Sequence, residues 1–114
     1  MANQVIVTPN FKKEAKPLLK KFPSLKDELS TLEKQLLLHP FEGTPLGGNA
    51  YKIRLAVKSK RKGKSGGMRI ITYVDVNISV EDHTQIFMLS IYDKSEMDTI
   101  SKDEIKQLIA LRKE

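Results

Sequence analysis

Hydrophobic and polar residues change period along this chain, and the changes predict its elements. Val5, Ile6 and Val7 are consecutive β-branched residues and predict a short first strand. Thr8 before Pro9 reads as a helix N-cap followed by proline at the first helical position, where its missing N–H has no partner to lose. Phe11, Ala15, Leu18, Leu19 and Phe22 then recur at helical spacing, with Lys12, Lys13, Lys16, Lys20 and Lys21 on the other side. Pro17 interrupts that pattern. An interior proline costs about 3 kcal/mol in a helix, so a kink or an early end is expected there. Ser24 with Asp27 outlines a capping box for a second helix, whose stripe is Leu25, Leu29, Leu32 and Leu36 and which Pro40 ends. The short link at Pro23 makes the two an αα-hairpin.

Phe41 to Asn49 is rich in turn formers, with Gly43, Pro45, Gly47 and Gly48 close together. The period then becomes two. Tyr51, Ile53, Leu55 and Val57 alternate with Lys52, Arg54, Ala56 and Lys58, so the first set belongs to a core and the second faces away. Lys52, Arg54 and Lys58 would then rise at roughly 7 Å per two residues, a spacing suited to the phosphates of a nucleic-acid strand. Ser59 to Gly67 is a basic, glycine-containing connector that reads as a hairpin loop. Met68 to Val76 is the next strand, with Arg69, Ile71, Tyr73 and Asp75 on one face and Met68, Ile70, Thr72 and Val74 on the other. Asn77 to Thr84 reads as a second hairpin turn, and Gln85 to Tyr92 as a largely apolar strand near the middle of a sheet. Ser101 to Glu104 is a capping box for a last helix carrying Ile105, Leu108, Ile109 and Leu111. The order β-α-α-β-β-β-α predicts an α+β domain, an antiparallel sheet packed against an N-terminal helical hairpin with a C-terminal helix. Residues 1–114 form one domain in this reading.

Charge sharpens the picture. The chain carries 20 basic and 14 acidic side chains, a formal net charge of +6. From Gly43 to Val74 there is no acidic residue and there are eight basic ones: Lys52, Arg54, Lys58, Lys60, Arg61, Lys62, Lys64 and Arg69. The remaining residues have 12 basic and 14 acidic side chains, so the positive excess comes from this one stretch. Like charges at such density repel, and a polyanionic partner is the usual reason that the repulsion persists. A polyphosphate anion is therefore the expected ligand.

Other chemistry is narrowed by what is missing. There is no cysteine, which excludes disulfides, thiol nucleophiles and Cys-based zinc sites and suits a reducing cytoplasm. His39 and His83 have no histidine near them in sequence, so no metal site is expected. Gly63-Lys64-Ser65 lacks the preceding glycine of a P-loop. The apolar runs are too short to cross a membrane, and Met1 to Val5 has neither the basic start nor the apolar stretch of a secretory leader.

Four segments, in order, resemble one known family. They are Pro9-Asn10-Phe11 through Lys20-Lys21-Phe22-Pro23-Ser24-Leu25; Leu46-Gly47-Gly48-Asn49-Ala50-Tyr51-Lys52-Ile53-Arg54; Gly63-Lys64-Ser65-Gly66-Gly67-Met68-Arg69-Ile70-Ile71-Thr72-Tyr73; and Ile91-Tyr92-Asp93-Lys94-Ser95-Glu96 with Asp98. Together they resemble the RelE/ParE toxin superfamily of bacterial toxin–antitoxin systems, in its HigB-like branch. The resemblance implies a RelE-like fold and a small cytoplasmic endoribonuclease that cuts mRNA in the ribosomal A site, without a cofactor and without a membrane. It also implies a cognate antitoxin as partner. Relatives use the RNA's own 2′-OH as nucleophile, with a basic surface in place of a histidine pair. RNA has that hydroxyl and DNA does not. By this resemblance Lys52 activates the 2′-OH or holds the phosphate, Arg54 clamps phosphate oxygens, and Arg69 stabilises the transition state. Lys58, Arg61 and Lys64 grip the RNA backbone. Tyr73 stacks a base or moves a proton, or else packs in the core. Lys94 is the candidate general acid, or Tyr92 if its ring turns toward the site; otherwise Tyr92 belongs with the RNA-binding residues. The alternatives are a ParE-like inhibitor of DNA gyrase and a nucleic-acid-binding protein that cuts nothing.

Overall fold

The computed structural model describes residues 3–60, 67–77, 83–97 and 99–113. The elements are β1 (Asn3–Val7), α1 (Pro9–Lys21), α2 (Leu25–Leu38), β2 (Thr44–Gly47), β3 (Ala50–Leu55), β4 (Met68–Asn77), β5 (His83–Asp93) and α3 (Lys102–Ala110), with a 3-10 turn at Lys58–Lys60. The five strands lie in the order β1-β5-β4-β3-β2, so β4 is central. The α+β class holds, with two differences from the sequence reading. The sheet is mixed, because β1 runs parallel to β5, and the segment expected to be only a turn-rich loop contributes an edge strand, β2. Pro45 is tolerated in β2 because an edge strand has one side with no ladder to serve.

Local chemistry explains the elements. The Thr8 hydroxyl accepts from the Phe11 N–H at 3.2 Å and donates to the Met88 carbonyl at 2.8 Å, which caps α1 and ties it to β5. The helix runs unbroken through Pro17, which is solvent-exposed, so water can take the carbonyl that the proline leaves unbonded. Ser24 does not cap α2. It sits in the helical region of backbone space, and its hydroxyl instead bonds Glu28 at 3.0 Å and Ser59 at 2.8 Å. Ser101 does cap α3, accepting from the Glu104 N–H at 3.1 Å. Between β2 and β3, Gly47, Gly48 and Asn49 all have positive φ and make the tight reversal. A side chain at Gly43 would come within 2.5 Å of the Lys52 carbonyl, so only glycine lets this loop close on β3.

Each face of the sheet has its own core. On one side Phe11, Leu25, Leu32 and Leu36 of the helical hairpin cover Ile53, Met68, Ile70, Ile86 and Ile91. On the other, Ile105 of α3, with Leu108 and Ile109, packs with Ile71, Phe87, Leu89 and Tyr92. The register of β4 with β5 shifts after Ile71: Ile71 faces Ser90 while Thr72 faces Met88, so Leu89 is an extra residue in β5. That bulge resets the alternation. Phe87 and Tyr92 are five apart, yet both join the α3-side core. The Leu89 carbonyl and the Ser90 hydroxyl are held from α1, by the Asn10 amide at 2.9 Å and by Glu14 at 2.7 Å.

Thr8→Ala removes the α1 cap and a buried bond to β5 together. The expected loss of unfolding free energy is about 2 kcal/mol, read from urea denaturation followed by circular dichroism.

Candidate nucleic-acid interface

Strand register converts the sequence's separated cations into neighbours. Arg54 of β3 lies opposite Arg69 of β4, and Arg69 lies opposite Tyr92 of β5. One step along, Lys52 is opposite Ile71 and Ile71 opposite Ser90; the next row is Ala50, Tyr73 and Phe87. Ala50, Ile71, Tyr73, Phe87 and Tyr92 belong to the α3-side core, so by alternation Lys52, Arg54 and Arg69 share that face. Directly opposed residues have Cβ atoms about 5 Å apart, and like charges so placed destabilise a sheet. The register thus brings together two guanidinium groups, with a lysine diagonal to one of them.

The three cations differ in exposure. Arg54 is exposed, Lys52 is half-buried and Arg69 is only 4% accessible. Arg69 donates from Nη1 to the carbonyl of Met68 at 3.3 Å, which fixes the guanidinium close to its own strand. β2 pairs with β3 only from Ala50 to Lys52, so the edge of β3 beside Arg54 is open to solvent. Arg54 and Lys58 also line a groove of about 470 Å³ whose opposite wall carries Asp27 and Glu28 of α2.

The other sequence-assigned residues fall in different places. Lys58 is not on the strand. β3 ends at Leu55, because Glu28 accepts the Lys58 backbone N–H at 2.8 Å and Ser24 accepts that of Ser59 at 3.0 Å, turning the chain into the 3-10 turn. The regular ladder of cations thus stops after Arg54, although the Lys58 side chain is exposed. Tyr73 lies two rows from Arg69, under α3, where the Arg112 guanidinium stacks at 4.9 Å from its ring and 5.3 Å from that of Phe87. Tyr92 shares the Arg69 row and is 6% accessible, so its ring is packed in the core. Lys94 follows β5, half-buried, with its N–H donating to the Gly67 carbonyl at 3.1 Å; this holds its backbone beside the start of β4. Arg61 and Lys64 lie outside the described residues.

Sequence reasoning missed what Lys60 does. Counted among the eight clustered cations, it is instead sequestered. Its ammonium pairs with Asp93, with side chains 4% and 3% accessible respectively, and also donates to the Ser95 hydroxyl at 2.9 Å. It lies 5.5 Å from the centre of the Phe22 ring. Burial pushes the Asp93 carboxyl up, but hydrogen bonds from Lys60 and from the hydroxyl and N–H of Ser95 outweigh it and hold the group below the usual carboxylate range. The pair joins the 3-10 turn to the end of β5, the strand that presents Tyr92 and leads into Lys94. An acid closing an otherwise apolar strand was the available signal, since a carboxylate there needs a cation.

The profile of the family described as "RelE toxin of RelE / RelB toxin-antitoxin system" matches residues 5–114. Among solved structures, an arginine-to-alanine double mutant of Escherichia coli toxin RelE in the free state superimposes with a TM-score of 0.54 at 16% identity, covering 98% of this chain and 95% of that one. At that identity the superposition speaks to the fold, which the two share. The chain belongs to the RelE toxin family of toxin–antitoxin systems, and membership implies an antitoxin partner.

Asp93→Asn leaves the Lys60 charge buried without its counter-ion. Unfolding free energy at pH 7 should fall by about 3 kcal/mol in urea melts. Because the folded carboxyl titrates below its unfolded value of about 3.9, its contribution is full above that pH and is lost as pH falls through the folded value. The wild-type protein should therefore lose more stability than the variant between pH 5 and strongly acidic conditions, taken as roughly pH 2.

Proposed function

We propose that this protein is an mRNA endoribonuclease that acts in the ribosomal A site. The observation that carries the reading is the in-register pair of Arg54 and Arg69 on the face that also bears Lys52. A scissile phosphodiester laid across this row meets two forked guanidinium groups, which suit phosphate oxygens in bidentate geometry. In the reaction the 2′-oxygen attacks the adjacent phosphorus, a 2′-O–P bond forms and the P–O5′ bond breaks. The products are a 2′,3′-cyclic phosphate and a 5′-hydroxyl end. Charge grows on the non-bridging oxygens in the transition state, and a preorganised, nearly buried cation such as Arg69 stabilises it without first shedding much water. Lys52, one row away, holds the phosphate or takes part in activating the 2′-OH.

Proton delivery to the leaving 5′-oxygen falls to Lys94, which follows the end of β5 next to the Arg69 row, since the Tyr92 ring is packed in the core. The stacking of Arg112 on Tyr73 favours a packing role for that tyrosine. Ribosome dependence fits a small domain whose site is a row of cations on an open sheet. Such a site offers few features to hold a flexible strand in attacking geometry, and ribosome-bound mRNA arrives already constrained.

Primer extension on a translated mRNA tests the reading. Wild-type protein should give discrete cuts at A-site codons. Arg69→Ala should lower the cleavage rate by about 10²–10³-fold, as removal of one transition-state donor does elsewhere. Tyr73→Phe should cleave nearly as well as wild type. Intact RNA together with trapped gyrase–DNA complexes would instead support a gyrase inhibitor.

A further inference from the structure

A second cationic surface lies on the helical-hairpin side of the sheet, the side opposite Arg54 and Arg69. Here a groove of about 500 Å³ runs between α1 and α2. Val7, Phe11, Ala15 and Leu29 make an apolar floor, Leu19 stands at its edge, and Lys12, Lys16 and Lys20 line the rim. The spacing is regular. Phe11, Ala15 and Leu19 form one row along α1 at intervals of four residues, and Lys12, Lys16 and Lys20 form the row beside it. Each step is about 6 Å along the helix, so both rows extend for about 12 Å. Leu19 is 38% accessible although it is a large aliphatic side chain.

Charge around this groove is predominantly positive. Glu14 is the one acidic residue of α1, and it is turned to β5, where it accepts from the Ser90 hydroxyl at 2.7 Å. Glu33 is the single carboxylate among the groove's lining residues, against three lysines. We propose that this groove docks an acidic amphipathic helix of the antitoxin. Aliphatic residues four apart on that helix fill the floor, and Asp or Glu residues in the adjoining row meet Lys12, Lys16 and Lys20. The proposal rests on the family assignment for the existence of an antitoxin, and on the groove alone for its location. RNA is a poorer fit, because a phosphate backbone matches the lysines but leaves the apolar floor empty. Docking here holds the antitoxin without covering the Arg54–Arg69 row, so binding and RNA cleavage depend on different residues.

The test uses the purified product of the adjacent antitoxin gene, titrated against the full-length toxin by calorimetry. Lys12→Glu/Lys16→Glu/Lys20→Glu should weaken binding on the order of tenfold or more through like-charge juxtaposition. Leu19→Asp, at a position already part-exposed, should do the same, with folding of both variants checked by circular dichroism. Both should still arrest growth when expressed alone, and co-expressed antitoxin should rescue growth less well than for wild type. Unchanged affinity in both variants, or no binding to wild type, would overturn the proposal. So would a loss of RNA cleavage or a change in self-association with antitoxin affinity intact, which would give the groove to RNA or to a second copy. If the wild-type toxin cuts no RNA, the nuclease reading fails while the affinity comparison still locates the antitoxin.

Discussion

Arg54 and Arg69 face each other across the β3–β4 ladder, an arrangement a sheet avoids unless something else is obtained from it. The repulsion is tolerated because the strands have no freedom to slip. A shift of one residue would turn Ile53, Met68 and Ile70 out of the core on the hairpin side and bring charge into it. Apolar packing on two faces therefore holds two cations in register, and under the proposed function an RNA phosphate relieves their mutual repulsion. The proposed nuclease activity depends on that forced proximity.

Three carboxylates among the described residues are engaged within the protein. Asp93, at the end of β5, is consumed by Lys60 and Ser95 on the face opposite Arg69. Glu14 is consumed by Ser90 and Asn10. Arg112 reaches Asp75 at 3.5 Å and stacks on the two aromatic rings beneath α3. These carboxylates are thus spent inside the protein, while Arg54 stays exposed and Lys52 half-buried. The bulge at Leu89 belongs to the same design. Without the extra residue, Tyr92 would turn to the hairpin side and leave the Arg69 row.

Much of this was legible in the sequence, for definite reasons. Thr8-Pro9 and Ser101 to Glu104 announce helix starts because capping is local chemistry. The alternation from Tyr51 to Leu55 and from Arg69 to Asp75 placed Lys52, Arg54 and Arg69 on a polar-bearing face, since a period of two has only one solution once a core is required. What escaped was non-local. The fate of Lys60 depends on Asp93, 33 residues away. The end of β3 depends on Glu28 and Ser24 of a helix, and β2 exists because Gly43 allows a close approach to Lys52. The bulge could not be seen in β5 because a strand buried from Ile86 to Asp93 shows no alternation to break. The parallel pairing of β1 with β5 likewise joins the two most distant strands of the chain.

Nuclear magnetic resonance titration of the protein with a short 2′-O-methyl RNA, which binds but cannot supply the attacking hydroxyl, tests the convergence most directly. The side-chain resonances of Arg54 and Arg69 should shift together along one saturable curve, with the Lys52 amide following them and the α1 lysines unaffected. Shifts confined to Lys12, Lys16 and Lys20, with Arg54 and Arg69 silent, would contradict a phosphate site on the sheet.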